Sequence, residues 1–312
     1  MLKALRHRIG LAKYRVLSGT LGRYRCGRAN AVRQRTQGRL AALPPLSLAG
    51  GGEVEVHMLC HAAGVDMGLW ASWSFLRFLP AASFYLHGDA TLTKPDVMLW
   101  ESKIGGMKVV LDDEAAGVAE EALRDFPRLG EFRAKHVLAR KLIDFHLYGN
   151  ASHLLLLDSD ILCFGVPTQL LSLLSTTATG LIRWNEDIRS SYSCSTQVAS
   201  AILGTTFPER MNSGLVVMRR LGVRDFAQLE GWLSQLIDTH GVRITHPWLE
   251  QTLYACLAAT WDGSGPLDEP YSMSGGSLRQ GQVTRHYPGN AMIRPKFWTE
   301  GVVRLCKELG GS

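Results

Sequence analysis

The run Leu154-Leu155-Leu156-Leu157-Asp158-Ser159-Asp160-Ile161-Leu162 carries four consecutive leucines into a pair of carboxylates. A strand that is apolar on both faces belongs in a parallel sheet covered on both sides by helices. In such sheets ligands bind beyond the carboxyl ends of the strands, which is where this run stops being apolar. Alternation along a strand would point Asp158 and Asp160 to one side and Ser159 to the other. Two like charges held close repel unless a cation or protons neutralise them. Hard oxygen ligands so placed suit Mg²⁺ or Mn²⁺ holding substrate phosphates. The plainer alternative is that Asp158 ends the strand and Asp160 only begins a turn.

The flanking sequence supports the same architecture. Residues 54–60 read as a strand, and residues 67–79 as a helix with Leu69, Trp73, Leu76 and Leu79 near one face and Pro80 as its stop. Strands are expected at 83–87 and 108–111, and a helix at 131–147 carrying Arg140 and Lys141. Asn212-Ser213-Gly214 reads as a turn feeding an apolar strand at 215–218, and a helix should begin after Pro247. Alternating strands and helices imply an α/β domain with a mostly parallel central sheet flanked by helices.

At 312 residues the chain can bury a full core, and its 46% hydrophobic and 20% charged content is that of a globular protein. No apolar run approaches the roughly 18 residues of a membrane-spanning helix. The six cysteines are scattered without a Cys-x-x-Cys pair, and no secretory segment is evident, so a reducing, cytoplasmic location is expected. Charge is distributed unevenly. Residues 1–52 hold eleven Lys or Arg and no Asp or Glu, which leaves 23 basic against 28 acidic residues, a net of −5, in the remainder. Residues 1–52 are accordingly read as a basic N-terminal arm and linker, with Pro44-Pro45 and Gly50-Gly51-Gly52 marking the linker, and 53–312 as the folded domain.

Within the arm, Leu2, Leu5, Ile9, Ala12 and Val16 recur at helical spacing among Lys3, Arg6, Arg8, Lys13 and Arg15. A basic amphipathic helix of this kind fits an anionic membrane surface, here through residues 1–40, and a peripheral position at the inner membrane face. A solubilising tail, a nucleic-acid-binding arm and a transit peptide are the alternatives, and nucleic acid ranks below membrane.

Several catalytic signatures are absent: the Gly-x-x-x-x-Gly-Lys-Ser/Thr phosphate loop, Gly-x-Gly-x-x-Gly after a strand, His-Glu-x-x-His and Gly-x-Ser-x-Gly. Kinases, dinucleotide oxidoreductases, zinc proteases and ordinary esterases therefore lose ground. Three segments beyond the acidic pair could carry chemistry: Asn212-Ser213-Gly214, Glu250-Gln251, and His286-Tyr287-Pro288-Gly289. Each has a structural explanation by itself, as a turn, a helix start and a hydrogen-bonded histidine.

Taken in order with Asp158-Ser159-Asp160, these segments resemble the retaining glycosyltransferases of family 8, of the glycogenin and lipopolysaccharide galactosyltransferase type. Those enzymes have the GT-A (Rossmann-like) nucleotide-diphospho-sugar transferase fold and read Asp-x-Asp, Asn-Ala-Gly, Asp-Gln and His-x-x-Gly-x-x-Lys-Pro-Trp. The resemblance spans roughly residues 54–298. It implies transfer of a sugar from a nucleotide-sugar donor, a UDP-sugar, to a glycan, glycolipid or protein acceptor. It also implies that Asp158, Asp160 and His286 hold a divalent metal, Mn²⁺ or alternatively Mg²⁺, with Asp158 also near the donor. Asn212 would hold the transferring sugar, with Glu250 or Gln251 beneath its anomeric carbon. Lys141 and Gly289 would contact the donor, and Asp89, which ends the strand at 83–87, could reach the nucleotide or simply make a turn. Two departures stand out. Glu250 replaces the usual Asp, and the step after Gly289 runs Asn290-Ala291-Met292-Ile293-Arg294-Pro295-Lys296-Phe297-Trp298. Either Arg294 or Lys296 could therefore be the diphosphate contact, with Arg294 preferred because it precedes Pro.

Retention would follow from double displacement with Glu250 as nucleophile or from a same-face substitution, and the sequence leaves both open. A sugar nucleotidyltransferase shares the fold class, but the segment after the first strand, Cys60-His61-Ala62-Ala63-Gly64, lacks a Gly-rich basic loop. A non-catalytic, degenerate transferase domain bound to membrane or nucleic acid through the arm is the third reading.

Overall fold

The computed structural model describes residues 2–51, 53–176, 178–271, 273, 276–289 and 292–310, with side chains from residue 19 onward. Gly52, Asn290, Ala291 and the arm's side chains from Leu2 to Val16 lie outside the described residues. Strands β1 (Val54–Cys60), β2 (Ser83–Gly88), β3 (Lys108–Val110), β4 (His153–Leu157), β5 (Ile161–Cys163), β6 (Leu181–Glu186), β7 (Met211–Arg219), β8 (Gly263–Pro266) and β9 (Thr284–His286) organise the chain. Seven of them form one sheet in the order β8-β6-β7-β4-β1-β2-β3. All neighbouring pairs are parallel except those of β7, which runs antiparallel to both β4 and β6. Helices flank this mostly parallel sheet, the α/β class expected from the sequence.

The leucine run explains why the sheet is covered on both sides. Leu155 and Leu157 enter one core with Trp70, Phe84 and Trp100, whereas Leu154 and Leu156 enter a second with Phe132, Phe145 and Tyr254. Period-two alternation thus feeds two cores from one strand, and all four leucines are buried.

Helix α1 (Leu2–Ala41) precedes the sheet, and helix α2 (Val65–Leu76) follows β1, close to the span expected for it. Ala29, Leu40 and Leu43 of the α1 region are buried in the first core. Arg33 forms a two-pronged ion pair with Asp66 of α2, and Trp73 Nε1 donates to the Pro44 carbonyl at 2.9 Å. Leu46–Ser47 pairs in parallel with Ile104–Gly105. Among the described residues no helix is long and apolar enough to cross a membrane.

Two local expectations are corrected. The single helix at 131–147 is three short ones, α3 (Pro127–Lys135), α4 (Ala139–Leu142) and α5 (Asp144–Leu147). His136 turns to an extended conformation (φ −133°, ψ 109°) and Ile143 breaks the chain again (φ −112°, ψ −67°). These breaks fold Arg133 back onto Asp144, 2.7 Å away, and aim Lys141 into the interior. Asn212-Ser213-Gly214, expected as a turn, lies inside β7, because Met211 pairs with Glu186 of β6 across a bulge and so carries the strand back beyond Leu215.

Candidate active site

The site is assembled at the carboxyl end of β4. The strand stops at Leu157, and Asp158-Ser159-Asp160 forms a tight turn in which Ile161 N–H bonds the Asp158 carbonyl at 3.3 Å. The two carboxylates converge through that turn rather than by strand alternation. From there β5 pairs antiparallel with β9, and the register Ile161↔His286 brings His286 beside them. Asp158, Asp160 and His286 each offer one ligand atom, all within 4.8 Å of one another.

The electrostatics of this group fit a cation. Asp160 Oδ1 is buried without a hydrogen bond, although His286 Nε2 lies 3.0 Å away, and His286 Nδ1 is also unpartnered. The Asp160 charge is balanced by the facing His286 ring and by Arg294 at 2.6 Å, contacts that a bound divalent ion would take over at the same oxygens. Burial would raise the Asp160 carboxyl, but His286 and Arg294 outweigh it and hold it below its ordinary value. Burial would likewise lower His286, and the facing Asp160 carboxylate reverses the direction. Two carboxylates and an imidazole are a donor set that Mn²⁺ accepts readily and Mg²⁺ less so.

Gly214 makes the cluster possible. A Cβ there would lie 2.7 Å from His286 Cε1, 2.9 Å from Asn212 Oδ1 and 3.0 Å from Asp158 Oδ2. Close approach of three polar side chains to one backbone position is what a glycine permits.

Beside the cluster, Lys141 is buried between carboxylates. Its Nζ lies 2.7 Å from Asp158 Oδ1 and 3.2 Å from Glu250 Oε1, and it donates to the Ser213 carbonyl at 3.0 Å. Burial alone would lower this ammonium, but Asp158 and Glu250 raise it above its ordinary value. Glu250 opens helix α6 (Leu249–Thr260) and accepts from Ser213 Oγ at 2.8 Å. Its burial raises its carboxyl, only partly offset by Lys141. Asn212 Nδ2 donates to Gln251 Oε1 at 3.3 Å, and Gln251 Nε2 donates to the Ser191 carbonyl at 2.7 Å.

A cavity of about 540 Å³ collects these groups. Asp158, Asp160, Lys141, Asn212, Glu250, Gln251, His286, Gly289 and Arg294 all line it. Arg294 reaches Asp160 Oδ2 at 2.6 Å. Two expected donor contacts are not among its lining residues. Lys296 points elsewhere, donating to the Gly276 carbonyl at 2.6 Å and lying 3.5 Å from Glu300. Asp89 closes a turn by accepting from Thr91 N–H at 2.9 Å.

From the sequence, Asp187 and Ser191 have no assigned role, and Ser213 figures only as the middle of its motif. Asp187 follows β6, lines the cavity and accepts from Asn212 Nδ2 at 3.4 Å. Its signal was a carboxylate ending a strand-like run, Leu181 to Glu186, the same pattern that marked Asp158.

A scan against protein-family models finds no match, and a search of curated proteins finds none. Solved structures similar to the chain include mouse xyloside xylosyltransferase 1 in its apo form, at 14% identity and TM-score 0.49, covering 79% of this chain and 99% of that one. The galactosyltransferase LgtC in complex with donor and acceptor sugar analogues has 11% identity and TM-score 0.48, covering 79% and 94%. Core-mannan synthase A from Aspergillus fumigatus, in an Mn/GDP form, has 9% identity and TM-score 0.43, covering 84% and 86%.

Proposed function

We propose that this protein is a GT-A glycosyltransferase that moves a sugar, with retention, from a UDP-sugar to a glycan, glycolipid or protein acceptor. The observation that carries the reading is the convergence in one cavity of the Asp158, Asp160 and His286 cluster with Asn212, Glu250, Gln251 and Arg294. Cleaving the bond from sugar to nucleoside diphosphate leaves charge on the β-phosphate. A divalent ion held by Asp158, Asp160 and His286 would stabilise that leaving group electrostatically. Arg294 adds a second positive group at the same side of the cavity, and Asn212 and Gln251 offer amides that can fix sugar hydroxyls.

Of the two routes to retention, we favour the same-face one. Glu250 is engaged by Ser213 Oγ and Lys141 and is 1% exposed, which suits a group that shapes and polarises the wall more than a free nucleophile. The acceptor oxygen would bond the anomeric carbon as the carbon-to-phosphate oxygen bond breaks, and the departing phosphate oxygen would take the acceptor's proton. A nucleotidyltransferase is less well supported, because the chain after β1 makes a short turn at Ala62–Gly64 in place of a Gly-rich basic loop.

Isothermal titration with UDP and with GDP, each with and without Mn²⁺, tests the reading. Metal-dependent UDP binding that disappears in Asp158→Ala/Asp160→Ala is expected. An absence of nucleotide binding under every condition would remove it.

A further inference from the structure

Helix α1 builds a second concavity that joins the candidate active site. A pocket of about 370 Å³ lies between α1 and the segment around Arg294, and its lining shares Gly289 and Arg294 with the larger cavity. Its walls include Cys26, Ala29, Met67, Pro295 and Trp298, an apolar surface edged by Arg33. Arg33 also stacks over the Trp298 ring at 5.5 Å. A third hollow of about 270 Å³ continues past Pro295 and is lined by Arg25, Arg28, Lys296 and Glu300. The three form a track from the acidic cluster, along an apolar stretch, to a cationic end.

Charge along the track is not balanced. Arg33 pairs with Asp66, Arg294 with Asp160, and Lys296 lies near Glu300. For Arg25 and Arg28 the described residues supply no carboxylate partner within ion-pair distance. Arg25 donates to the Met292 carbonyl at 3.2 Å, and Arg28 sits 6.0 Å from the Tyr24 ring centre. A half-buried Arg25 and an exposed Arg28 lining one hollow at the end of an apolar groove complement a phosphate carried on a hydrocarbon.

We propose that this track is the acceptor site and that the acceptor is a phosphate-bearing lipid. Its hydroxyl would be presented at the cavity, its apolar part would lie on Met67 and Trp298, and its phosphate would sit between Arg25 and Arg28. The acceptor role rests on the transferase reading above, whereas the phosphate-lipid binding itself is read from α1.

Titration of the full chain with dodecyl phosphate below its micellar concentration, compared with inorganic phosphate and dodecyl maltoside, tests the proposal. Saturable dodecyl phosphate binding is expected, at least about tenfold tighter than either comparator, since a charge-assisted contact is worth that much. It should weaken by about tenfold or more in Arg25→Glu/Arg28→Glu and survive in Arg25→Lys/Arg28→Lys. Equal binding of inorganic phosphate or of dodecyl maltoside, or an unchanged affinity in the charge-reversed variant, overturns it. UDP and Mn²⁺ titrated into the same samples separate the two ideas. UDP binding without dodecyl phosphate binding overturns the acceptor site alone, whereas dodecyl phosphate binding without UDP binding overturns the donor reading.

Discussion

At the scale of single residues, Lys141 and Gly214 bear the most. Lys141 is the only described cation between Asp158 and Glu250, and removing one partner of a buried ionic group leaves the others uncompensated. Lys141→Met is expected to cost about 3 kcal/mol in urea unfolding. Lys141→Met/Glu250→Gln should recover part of that loss, because it removes one of the stranded charges. If the double variant is as unstable as the sum of the singles, the coupling is absent. Gly214→Ala adds a methyl group where His286, Asn212 and Asp158 already crowd. We expect destabilisation of about 1–3 kcal/mol, together with a loss of metal-dependent UDP affinity, read by thermal unfolding and titration.

At the scale of elements, β1 and β2 carry a buried polar row that the site does not use. His57 Nδ1 and His87 Nε2 are 3.0 Å apart, and His57 stacks on Tyr85 with ring centres 4.6 Å apart. Burial pushes the His57 imidazole down to about 4. The unfolded chain takes up a proton there below pH about 6.5, while the folded chain does so only near 4. Stability is therefore intact above pH 6.5 and lost as the pH falls towards 4, by about 3 kcal/mol if His57 acts alone. At lower pH Glu55 adds to the same trend. Burial would raise its carboxyl, but the His57 ring 3.6 Å away, hydrogen bonds from the Asn150 and Ala151 N–H groups, and Arg220 bring it down to about 2. Denaturant unfolding between pH 7 and 4 should show this slope, and His57→Phe, which keeps the stacked ring, should make it shallower. An unaltered slope would assign the acid sensitivity elsewhere.

At the scale of the molecule, the relation of α1 to the sheet decides what residues 1–52 are. Ala29, Leu40 and Leu43 are buried against the same core that holds Trp70 and Phe84. A chain lacking residues 1–43 should lose about 3–5 kcal/mol, from two buried leucines and a smaller alanine, and unfold at lower temperature. An unchanged Tm would support residue 52 as a physical boundary, whereas a lowered one would place α1 within the folded unit. The excess positive charge of the arm supports a proposal of peripheral attachment at the cytoplasmic face of a membrane. Cosedimentation with phosphatidylglycerol vesicles that weakens steeply with salt is the expected behaviour, and equal binding to neutral vesicles would count against it.

Periodicity and composition by themselves determined the α/β class, the doubly covered sheet and the α2 helix, because alternation and helical spacing are written along the chain. It was the resemblance in motif order to a glycosyltransferase family, not periodicity or composition, that singled out Asp158, Asp160, Asn212, Glu250 and His286, of which only Asp158 and Asp160 share a local element. Their convergence was decided by tertiary structure, through the register that sets Ile161 opposite His286 and the antiparallel insertion of β7 beside β4. The same long-range pairing drew Asn212-Ser213-Gly214 into a strand and broke the 131–147 helix so that Lys141 meets two carboxylates. It also put Arg294, and not Lys296, on the wall of the cavity, since the direction of a side chain after a turn depends on what packs around it. Local sequence specifies which faces are apolar, whereas the path of the chain between those faces decides which polar groups meet.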